Sequence, residues 1–294
     1  TNGGAGIRLA YELAQQSYID GGVNRVILAT DGDFNVGTVD FEALKDLVET
    51  RRRSGIGLTT LGFGTGNYND HLLEQLADAG NGNYAYIDTL NEAQKVLADE
   101  LSATLLTIAK DVKVQIEFNP AVVEEYRLIG YENRALRRED FNNDAVDAGD
   151  IGAGHSVTAL YEIALKGEGG AYTDPLRYAA PPAAAVHGDE IALLRLRYKL
   201  PDAGASRLLE QTIRRRDGLA DLDAASERFR FAAAVAAFGQ LLRGGRYTGG
   251  YGYDELLALA RGARGDDPFG YRGGFISLVS LARSLDGGAA RAGR

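Results

Sequence analysis

The sequence contains no cysteine and no methionine among its 294 residues. The absence of cysteine excludes disulfide bonds, thiolate metal sites and a cysteine nucleophile. It does not determine the compartment, because a secreted bacterial protein can also lack cysteine. The absence of methionine predicts a processed product or a fragment, because translation begins with that residue. Any segment that directs the protein to its compartment is then expected upstream of residue 1.

Positive charge and long apolar runs are also scarce. The net charge of -9 argues against nucleic-acid binding, which normally needs a basic surface. No apolar run approaches the ~20 residues that a membrane-spanning helix requires, so we expect no membrane span in this chain. The hydrophobic fraction of 45% and the charged fraction of 25% are typical of a globular protein.

Motifs that support catalysis are missing as well. The three histidines, His71, His155 and His187, are far apart in sequence, and none lies in a nucleophile motif. Residues 152–156 read GAGHS, which lacks the order of the G-x-S-x-G motif. Residues 62–67 read GFGTGN, without the third glycine of the dinucleotide fingerprint and without a Walker lysine. The sequence therefore predicts a protein without enzymatic activity.

The first ~110 residues alternate between helical and strand patterns, with apolar runs typical of strands that are buried on both faces. Predicted strands cover 26–29, 56–63 and 83–87. Predicted helices cover 7–18, 40–51 and 70–80, and a further helix runs from Asn91 to about Lys110. Asp40 is the expected N-cap of the second helix, and Gly80 the expected stop of the third. This order of elements predicts a parallel sheet with right-handed crossovers.

From residue 111 the apolar period changes to two. Val112 and Val114 alternate with Lys113 and Gln115, which predicts a half-buried antiparallel strand, and residues 157–163 and 192–200 repeat this pattern. Residues 226–243, 254–261 and 275–285 are helical in pattern. We therefore predict three parts: an α/β domain at 1–110, an all-β sandwich at 111–215, and a helical segment at 216–294 that packs on the sandwich.

Two aspartates follow the strand at 26–29, in the stretch RVILATDGDFNVG of residues 25–37. Asp31 is placed at the carboxyl end of a parallel strand, where open α/β sheets bind ligands. Asp33 is two residues later, so the two carboxylates converge only if Gly32 turns the chain. Magnesium prefers oxygen ligands of this kind. A plain Asp-Gly turn with solvated carboxylates is the alternative, and these residues alone leave both interpretations open.

Two stretches imitate a calcium-binding EF-hand loop without matching it. Residues 31–35 read DGDFN, and Glu42 stands at the twelfth position, but the sixth position is Val36 instead of glycine. A strand also precedes this stretch, where an EF-hand has a helix. Residues 140–144 read DFNND, with Ala145 at the bend. We interpret this second stretch as an acidic hairpin loop between two strands.

Several long blocks resemble a known bacterial family. The blocks ILATDGDFNVG and LTTLGFGTGNYNDHLLEQLADAGNGNYAYID are similar to the second half of a von Willebrand factor A (VWA) domain. The blocks REDFNNDAVDAGDIGAGHSVTALYEI and RFAAAVAAFGQLLR resemble a C-terminal region of unknown function that follows this domain in bacterial proteins. The resemblance covers nearly the whole chain. It implies that residues 1–110 form the C-terminal half of a doubly wound parallel-sheet domain.

The resemblance also implies a metal-ion-dependent adhesion site, in which three loops hold a metal, usually Mg²⁺. These loops carry Asp-x-Ser-x-Ser, a threonine and an aspartate. Asp31 matches the third-loop aspartate and Thr1 the second-loop threonine. Asp33 has no general counterpart and is placed beside the ligands or facing the bound partner. Because no Asp-x-Ser-x-Ser precedes Thr1, we expect weak or no metal binding, an exposed strand edge and unburied apolar helix faces.

The function implied by this resemblance is that of a non-enzymatic binding module in the cell envelope or outside the cell. The open coordination position of the metal would accept an acidic side chain from a protein partner. The alternative is an accessory subunit of a metal-chelatase or an AAA+ machine, which would be cytoplasmic. A signal or lipoprotein peptide upstream would favour the first interpretation, and its absence would favour the second.

Overall fold

A computed structural model describes residues 2–34, 40–66, 68–100, 105–131, 135–146, 148–174, 187–201 and 203–292. The chain divides into two compact units. One comprises Thr1–Gln115, Leu136–Ser156 and Arg195–Glu210, and the other comprises Ile116–Ala135, Val157–Leu194 and Gln211–Arg294. The predicted division at residues 110 and 215 stays a prediction.

The first unit contains a three-stranded parallel sheet, as the sequence predicts. Its strands are β1 (Asn24–Thr30), β2 (Ile56–Phe63) and β3 (Tyr84–Ile87), in that order across the sheet. In the register of β1 with β2, Thr30 lies opposite Gly62, and in that of β2 with β3, Gly62 lies opposite Tyr86. The carboxyl ends of all three strands therefore meet at one edge.

Three helices cover one face of this sheet: α1 (Gly3–Gln16), α2 (Phe41–Arg53) and α3 (Asp70–Ala79). Each begins at a polar cap, and the side chains of Asn2, Asp40 and Asn69 accept hydrogen bonds from backbone N–H groups of the first turn. Their apolar stripes share a core with β1 and β2, whose members include Ile7, Tyr11, Val26, Leu44, Val48, Leu58 and Leu76. The predicted cap at Asp40 is confirmed.

The helix predicted from Asn91 to Lys110 is wrong in its extent. The structure has a short helix α4 (Leu90–Gln94), capped by Thr89, and then a π-helical turn at Lys95–Asp99. By Thr107 the chain is already in a strand, because Thr107 pairs with Gly152 of a distant segment. Tertiary pairing thus overrides the local helical pattern. Val96 of the π-turn packs against Leu61 and Ile87 of the sheet.

Apolar side chains remain exposed on the first unit. Ile27 of β1 is 47% exposed, and Leu9 and Leu13 of α1 are 57% and 54% exposed. Within the described residues β1 pairs only with β2. Strand β1 is thus the expected strand edge among the described residues, and α1 has the expected unburied apolar face.

The described part of the chain after α4 contains six further strands: β4 (Thr107–Phe118), β5 (Val123–Ile129), β6 (Gly149–Gly152), β7 (Leu160–Leu165), β8 (Glu190–Lys199) and β9 (Arg207–Arg214). They form a four-stranded sheet in the order β6-β4-β8-β9 and a two-stranded sheet of β5 and β7. The pairings β4–β6 and β5–β7 are antiparallel. The strand predicted from Val112 onward and those predicted at 157–163 and 192–200 thus correspond to β4, β7 and β8.

The predicted faces of β4 are wrong at Lys113. This lysine is 2% exposed, whereas Val114 is 54% exposed. The register of β4 shifts between Ala109 and Val112, and Asp111 between them has a φ of 50°. Such an irregularity changes which side chains face the interior. The sequence pattern carries no sign of it.

Among its described residues, the second unit contains three helices that share a core: α5 (Glu227–Leu242), α6 (Tyr253–Gly262) and α7 (Tyr271–Ala292). All three correspond to predicted helices. The N-cap of α6 is Gly252, whose N–H donates to the Glu255 carboxylate. Across the residues described, none of the helices has the length and apolarity that a membrane span requires.

Candidate functional site

Strand β1 brings Asp31 to the carboxyl edge of the parallel sheet, and the loop after it is tightly constrained. Gly32 has a φ of 77°, in the left-handed region that favours glycine. A Cβ at this position would lie 3.2 Å from both the Cβ and the carbonyl oxygen of Asn69. Gly32 therefore provides the predicted turn and also allows the loop before α3 to approach closely.

Hydrogen bonds fix this loop around Asp31. The N–H of Asp33 donates to Oδ1 of Asp31 at 3.1 Å, and the N–H of Gly32 donates to Oγ1 of Thr30 at 3.1 Å. The N–H of Asn69 donates to the carbonyl oxygen of Asp31 at 3.3 Å. The residue Asp31 is exposed. Its carboxylate is thus oriented by its own loop and accessible from solvent.

The other two predicted site residues are placed differently. Asp33 is half-buried and lines a cleft whose described lining does not include Asp31. Its predicted place beside the ligands or facing a bound partner stays a prediction. Thr1, the predicted second-loop threonine, lies outside the described residues, as does Asn35 of the calcium-like stretch.

The described residues alone do not fit a magnesium ion. Mg²⁺ demands six oxygen ligands in near-octahedral geometry, usually with one or two carboxylates from protein. In the part of the chain that the structure describes, no group of three or more histidine, aspartate or glutamate side chains could hold a metal. At the edge of the sheet, Asp31 is the one predicted ligand that is described, and one of its oxygens already accepts a backbone N–H.

A cluster of tyrosines lies at the same edge, and the sequence reasoning missed it. The hydroxyl of Tyr84 donates a hydrogen bond to Oδ1 of Asp70, the first residue of α3, and the hydroxyls of Tyr68 and Tyr84 are also bonded. Because the Tyr84 proton points to Asp70, Tyr68 is the donor in the second bond. The rings of Tyr68 and Tyr86 lie 4.7 Å apart between centroids.

This tyrosine cluster is connected to the loop of Asp31. The hydroxyl of Tyr86 donates to the carbonyl oxygen of Gly64 at 2.7 Å, and a Cβ on Gly64 would lie 3.9 Å from the Cβ of Asp31. Burial and the hydrogen bond to Asp70 raise the pKa of Tyr84 above its usual value, and burial raises the pKa of Tyr68. Both hydroxyls are therefore protonated donors at neutral pH.

The cluster depends on a glycine of the neighbouring strand. A Cβ on Gly62 would lie 1.9 Å from the hydroxyl oxygen of Tyr68. The Tyr68 side chain thus occupies the space that a side chain at position 62 would need. In the sequence, the spacing of Tyr84 and Tyr86 places both on one face of a strand, which is the signal that could have revealed them.

The cleft beside Asp31 has a volume of about 240 Å³. Its apolar lining comes from Phe34, Phe41, Leu44 and Leu72. Its polar lining comes from Asp33, Asn69 and His71, together with Gly32. The cleft lies between residues 32–34 and the first turns of α2 and α3.

The second calcium-like stretch, residues 140–144, already binds cationic side chains. The ammonium group of Lys113 donates to the carbonyl oxygens of Asp140 and Asn143, and Nε of Arg197 donates to the Asp144 carboxylate at 3.1 Å. This hydrogen bond to Arg197 holds the pKa of Asp144 below its usual value. The residues Arg138–Asn142 form a 3₁₀ helix between β5 and β6. The Asp144 carboxylate and the carbonyl oxygens of Asp140 and Asn143 therefore already have protein partners.

Comparison with known proteins assigns the family. The family model described as "Uncharacterized protein YfbK, C-terminal" matches residues 103–285. The chain belongs to this YfbK C-terminal family. The matched segment begins just before β4 and ends within α7, so it excludes the parallel sheet that carries Asp31.

A relative of the YfbK family extends the similarity to the parallel sheet. The uncharacterized protein YfbK of Escherichia coli strain K12 is 51% identical over 285 residues, which cover 96% of this chain. The same alignment covers 48% of that protein, so the chain spans about half the length of this curated relative.

Two solved structures show weaker likeness. The conserved hypothetical protein BatB from Bacteroides thetaiotaomicron matches 31% of this chain and 55% of its own, with 23% identity and a TM-score of 0.26. The human COPII-coat protein Sec24c matches 88% of this chain and 36% of its own, with 13% identity and a TM-score of 0.37.

Proposed function

We propose that this chain is part of a non-enzymatic protein-binding module of the VWA type. The observation that carries the proposal is the exposed carboxylate of Asp31, which its own loop holds at the carboxyl edge of a parallel sheet. This is the edge at which open α/β sheets bind ligands. Asp31 would be the contribution of this chain to a divalent-metal site that further residues must complete.

The surrounding structure supports this proposal. Helices α1, α2 and α3 pack on one face of the parallel sheet, and α4 follows its last strand, which is compatible with half of a doubly wound domain. The antiparallel strands that follow would form a sandwich that serves as a base. In the completed site, a bound Mg²⁺ would supply a positive charge that attracts an acidic side chain from a protein partner. We place the protein in the cell envelope or outside the cell.

Isothermal titration with Mg²⁺ tests the proposal. The 294-residue chain should show weak or no binding, because one described carboxylate cannot satisfy the coordination of the ion. The full-length E. coli relative should bind saturably, and substitution by asparagine of the residue that aligns with Asp31 should abolish binding. Asparagine keeps the size and the oxygen acceptor of aspartate but removes the charge.

The control introduces asparagine at the residue of the relative that aligns with Asp20, and Asp20 is exposed in this chain and lies outside the loop after β1. This variant of the relative should bind as the parent does. Micromolar binding by the 294-residue chain that survives Asp31→Asn would place the metal elsewhere and overturn the proposal. Unchanged binding in the full-length relative with asparagine at the position that aligns with Asp31 would overturn it as well.

A further inference from the structure

Helix α7 carries a stripe of exposed leucines on the side that faces away from its own core. These three residues, the leucine stripe, are Leu278, Leu281 and Leu285, which are 53%, 57% and 68% exposed. Their spacing of three and four residues places them on one side of the helix. The opposite side, which includes the fully buried Val279, packs into the core shared with α5 and α6. Single exposed apolar residues are common, but a continuous stripe indicates an interaction surface.

The residues beside the leucine stripe are small and need no polar partner from outside. Gly274, Ser277 and Ser284 are exposed, and their spacing places them on the same side of α7. The hydroxyl of Ser277 donates to the carbonyl oxygen of Gly273 at 3.0 Å. The hydroxyl of Ser284 donates to the carbonyl oxygen of Ser280 at 2.9 Å. Both hydroxyls can therefore be buried in an interface without losing their hydrogen bonds.

The leucine stripe also lies in a part of the sequence with little charge. Arg283 is the single charged residue between positions 273 and 285, and its guanidinium donates to the Asp254 carboxylate of α6 at 2.6 Å. A helix that lies on a membrane surface has a polar face rich in lysine and arginine. A helix that selects a charged partner helix carries charges beside its apolar seam. The stripe has neither feature, which favours an uncharged apolar helix as its occupant.

The order of large and small residues along this side is complementary to its own reverse. In an antiparallel pair of two α7 helices, Leu278 of each copy can pack against Leu281 of the other. Leu285 of each copy then meets Gly274 of the other, so that a large residue faces a small one. Facing large and small residues in this way lets helices interdigitate closely. A parallel pair would place Gly274 opposite Gly274 and leave a gap.

We propose that the leucine stripe is a self-association surface, on which a second copy of this chain packs its own α7 in antiparallel orientation. Burial of the leucines of both copies would stabilise the pair. Three leucines per copy bury much less than the ~800 Å² per partner of a typical stable interface, so we expect a weak dimer. The inference goes beyond the proposed function, because it concerns the second unit and requires no metal ion.

Sedimentation equilibrium of the 294-residue chain tests this proposal, with EDTA present to remove metal. The 31.4-kDa chain should pass from monomer to dimer as its concentration rises to about 100 µM, as expected for a small interface. Leu281→Arg should weaken dimerisation about tenfold or more, because the pair would bury an unpaired charge. Leu219→Arg adds the same charge at a residue outside α7 that is 61% exposed, and should dimerise as the parent does. Unchanged circular dichroism spectra show that both variants are folded.

Disulfide cross-linking tests the orientation of the pair, and the chain has no cysteine of its own to interfere. In the antiparallel pair, position 277 of one copy lies beside position 284 of the other. An oxidised mixture of Ser277→Cys and Ser284→Cys should therefore form mainly the mixed disulfide. Identical positions of two copies would lie about 8–14 Å apart along the helix axis, at a rise of ~1.5 Å per residue. This separation exceeds the ~7 Å between Cα atoms that a disulfide can bridge.

Several results would overturn the proposal. A chain that stays monomeric at every concentration would do so, as would equal dimerisation of Leu281→Arg and the parent. Disulfides formed mainly between identical variants would show a parallel pair and contradict the antiparallel arrangement. A monomeric chain that binds phosphatidylglycerol vesicles, with binding lost in Leu281→Arg, would show that the stripe contacts lipid, and would also overturn it. None of these results affects the Mg²⁺ titration, so the two proposals fail separately.

Discussion

The ammonium group of Lys113 donates a hydrogen bond to the backbone carbonyl oxygen of Asn143, although Lys113 is only 2% exposed. The same group donates to the carbonyl oxygen of Asp140 at 3.3 Å. A buried charge is costly unless hydrogen bonds compensate for it. This lysine therefore fixes the segment between β5 and β6 onto β4.

Replacement of Lys113 by methionine should lower the free energy of unfolding by about 2 kcal/mol. Methionine retains most of the apolar stem but leaves the two carbonyl oxygens without their donor. Urea unfolding followed by circular dichroism measures the change. Lys110→Met is the matched control, because Lys110 lies on the same strand and is exposed. Equal losses in the two variants would contradict the role assigned to Lys113.

Replacement of Tyr84 by phenylalanine should cost about 1 kcal/mol in the free energy of unfolding, as is typical of one lost hydrogen-bonded hydroxyl. The ring is retained, so the change isolates the bonds to Asp70 and Tyr68. Tyr126→Phe serves as the control, because Tyr126 is 59% exposed. A loss no larger than in this control would show that the tyrosine cluster contributes nothing to stability.

The pH dependence of stability should carry the signature of Tyr84. Its pKa is raised in the folded chain, so its contribution is complete below the ordinary tyrosine value of about 10 and declines as the pH rises above it. The stability difference between the parent and Tyr84→Phe should therefore shrink from about pH 9 to about pH 11. Chemical unfolding at several pH values measures it. A difference that grows with pH would contradict the raised pKa.

Replacement of Gly32 by alanine should destabilise the chain by about 2 kcal/mol or more. Part of this cost is the left-handed backbone, and part is the approach of Asn69, whose Cβ would be 3.2 Å from the new Cβ. Gly21→Ala measures the cost of the left-handed backbone alone, because Gly21 has a φ of 67° and no atom within 4 Å of its Cβ position. Thermal unfolding of both variants gives the comparison. Equal destabilisation would mean that crowding by Asn69 is unimportant.

Replacement of Gly62 by alanine should cost about 1–3 kcal/mol by overpacking against Tyr68. Tyr68→Ala should relieve this conflict, so the double variant should lose less stability than the sum of the single variants. Urea unfolding of all four proteins gives the coupling energy, which we expect at about 1 kcal/mol. Additive losses would show that the two positions are independent.

Much of the parallel sheet could be predicted from the sequence because its signals are local. The apolar run at Val26–Ala29 became β1, and Asp40 caps α2 as its residue type predicts. Gly80 ends α3, also as expected. Each of these features depends on residues within a few positions of one another, where pattern and propensity are informative.

Errors arose where distant segments decide the outcome. Thr107 is in a strand because Gly152 pairs with it, and neither residue signals the other in the sequence. Lys113 is buried because a register shift occurs in β4 and because Asp140 and Asn143 offer carbonyl oxygens. Periodicity in one strand cannot reveal such partners.

In the candidate site, too, the local features were predictable and the features that depend on distant segments were not. The position of Asp31 follows from the end of β1, and Gly32 makes the turn that convergence of the carboxylates would need. The contact of this loop with Asn69 and the tyrosines around Asp70 depend on how β1, β2 and β3 align. The sequence therefore predicted where the site begins but not what surrounds it.

The fit of Tyr68 against Gly62 also has an evolutionary consequence. Because one ring occupies the space above a residue without a side chain, neither position can change freely while the other stays the same. A relative with a larger residue at position 62 needs a smaller one at position 68, and the two substitutions should be inherited together. The loop after β2 is thus tied to its own strand through a pair of positions only six residues apart.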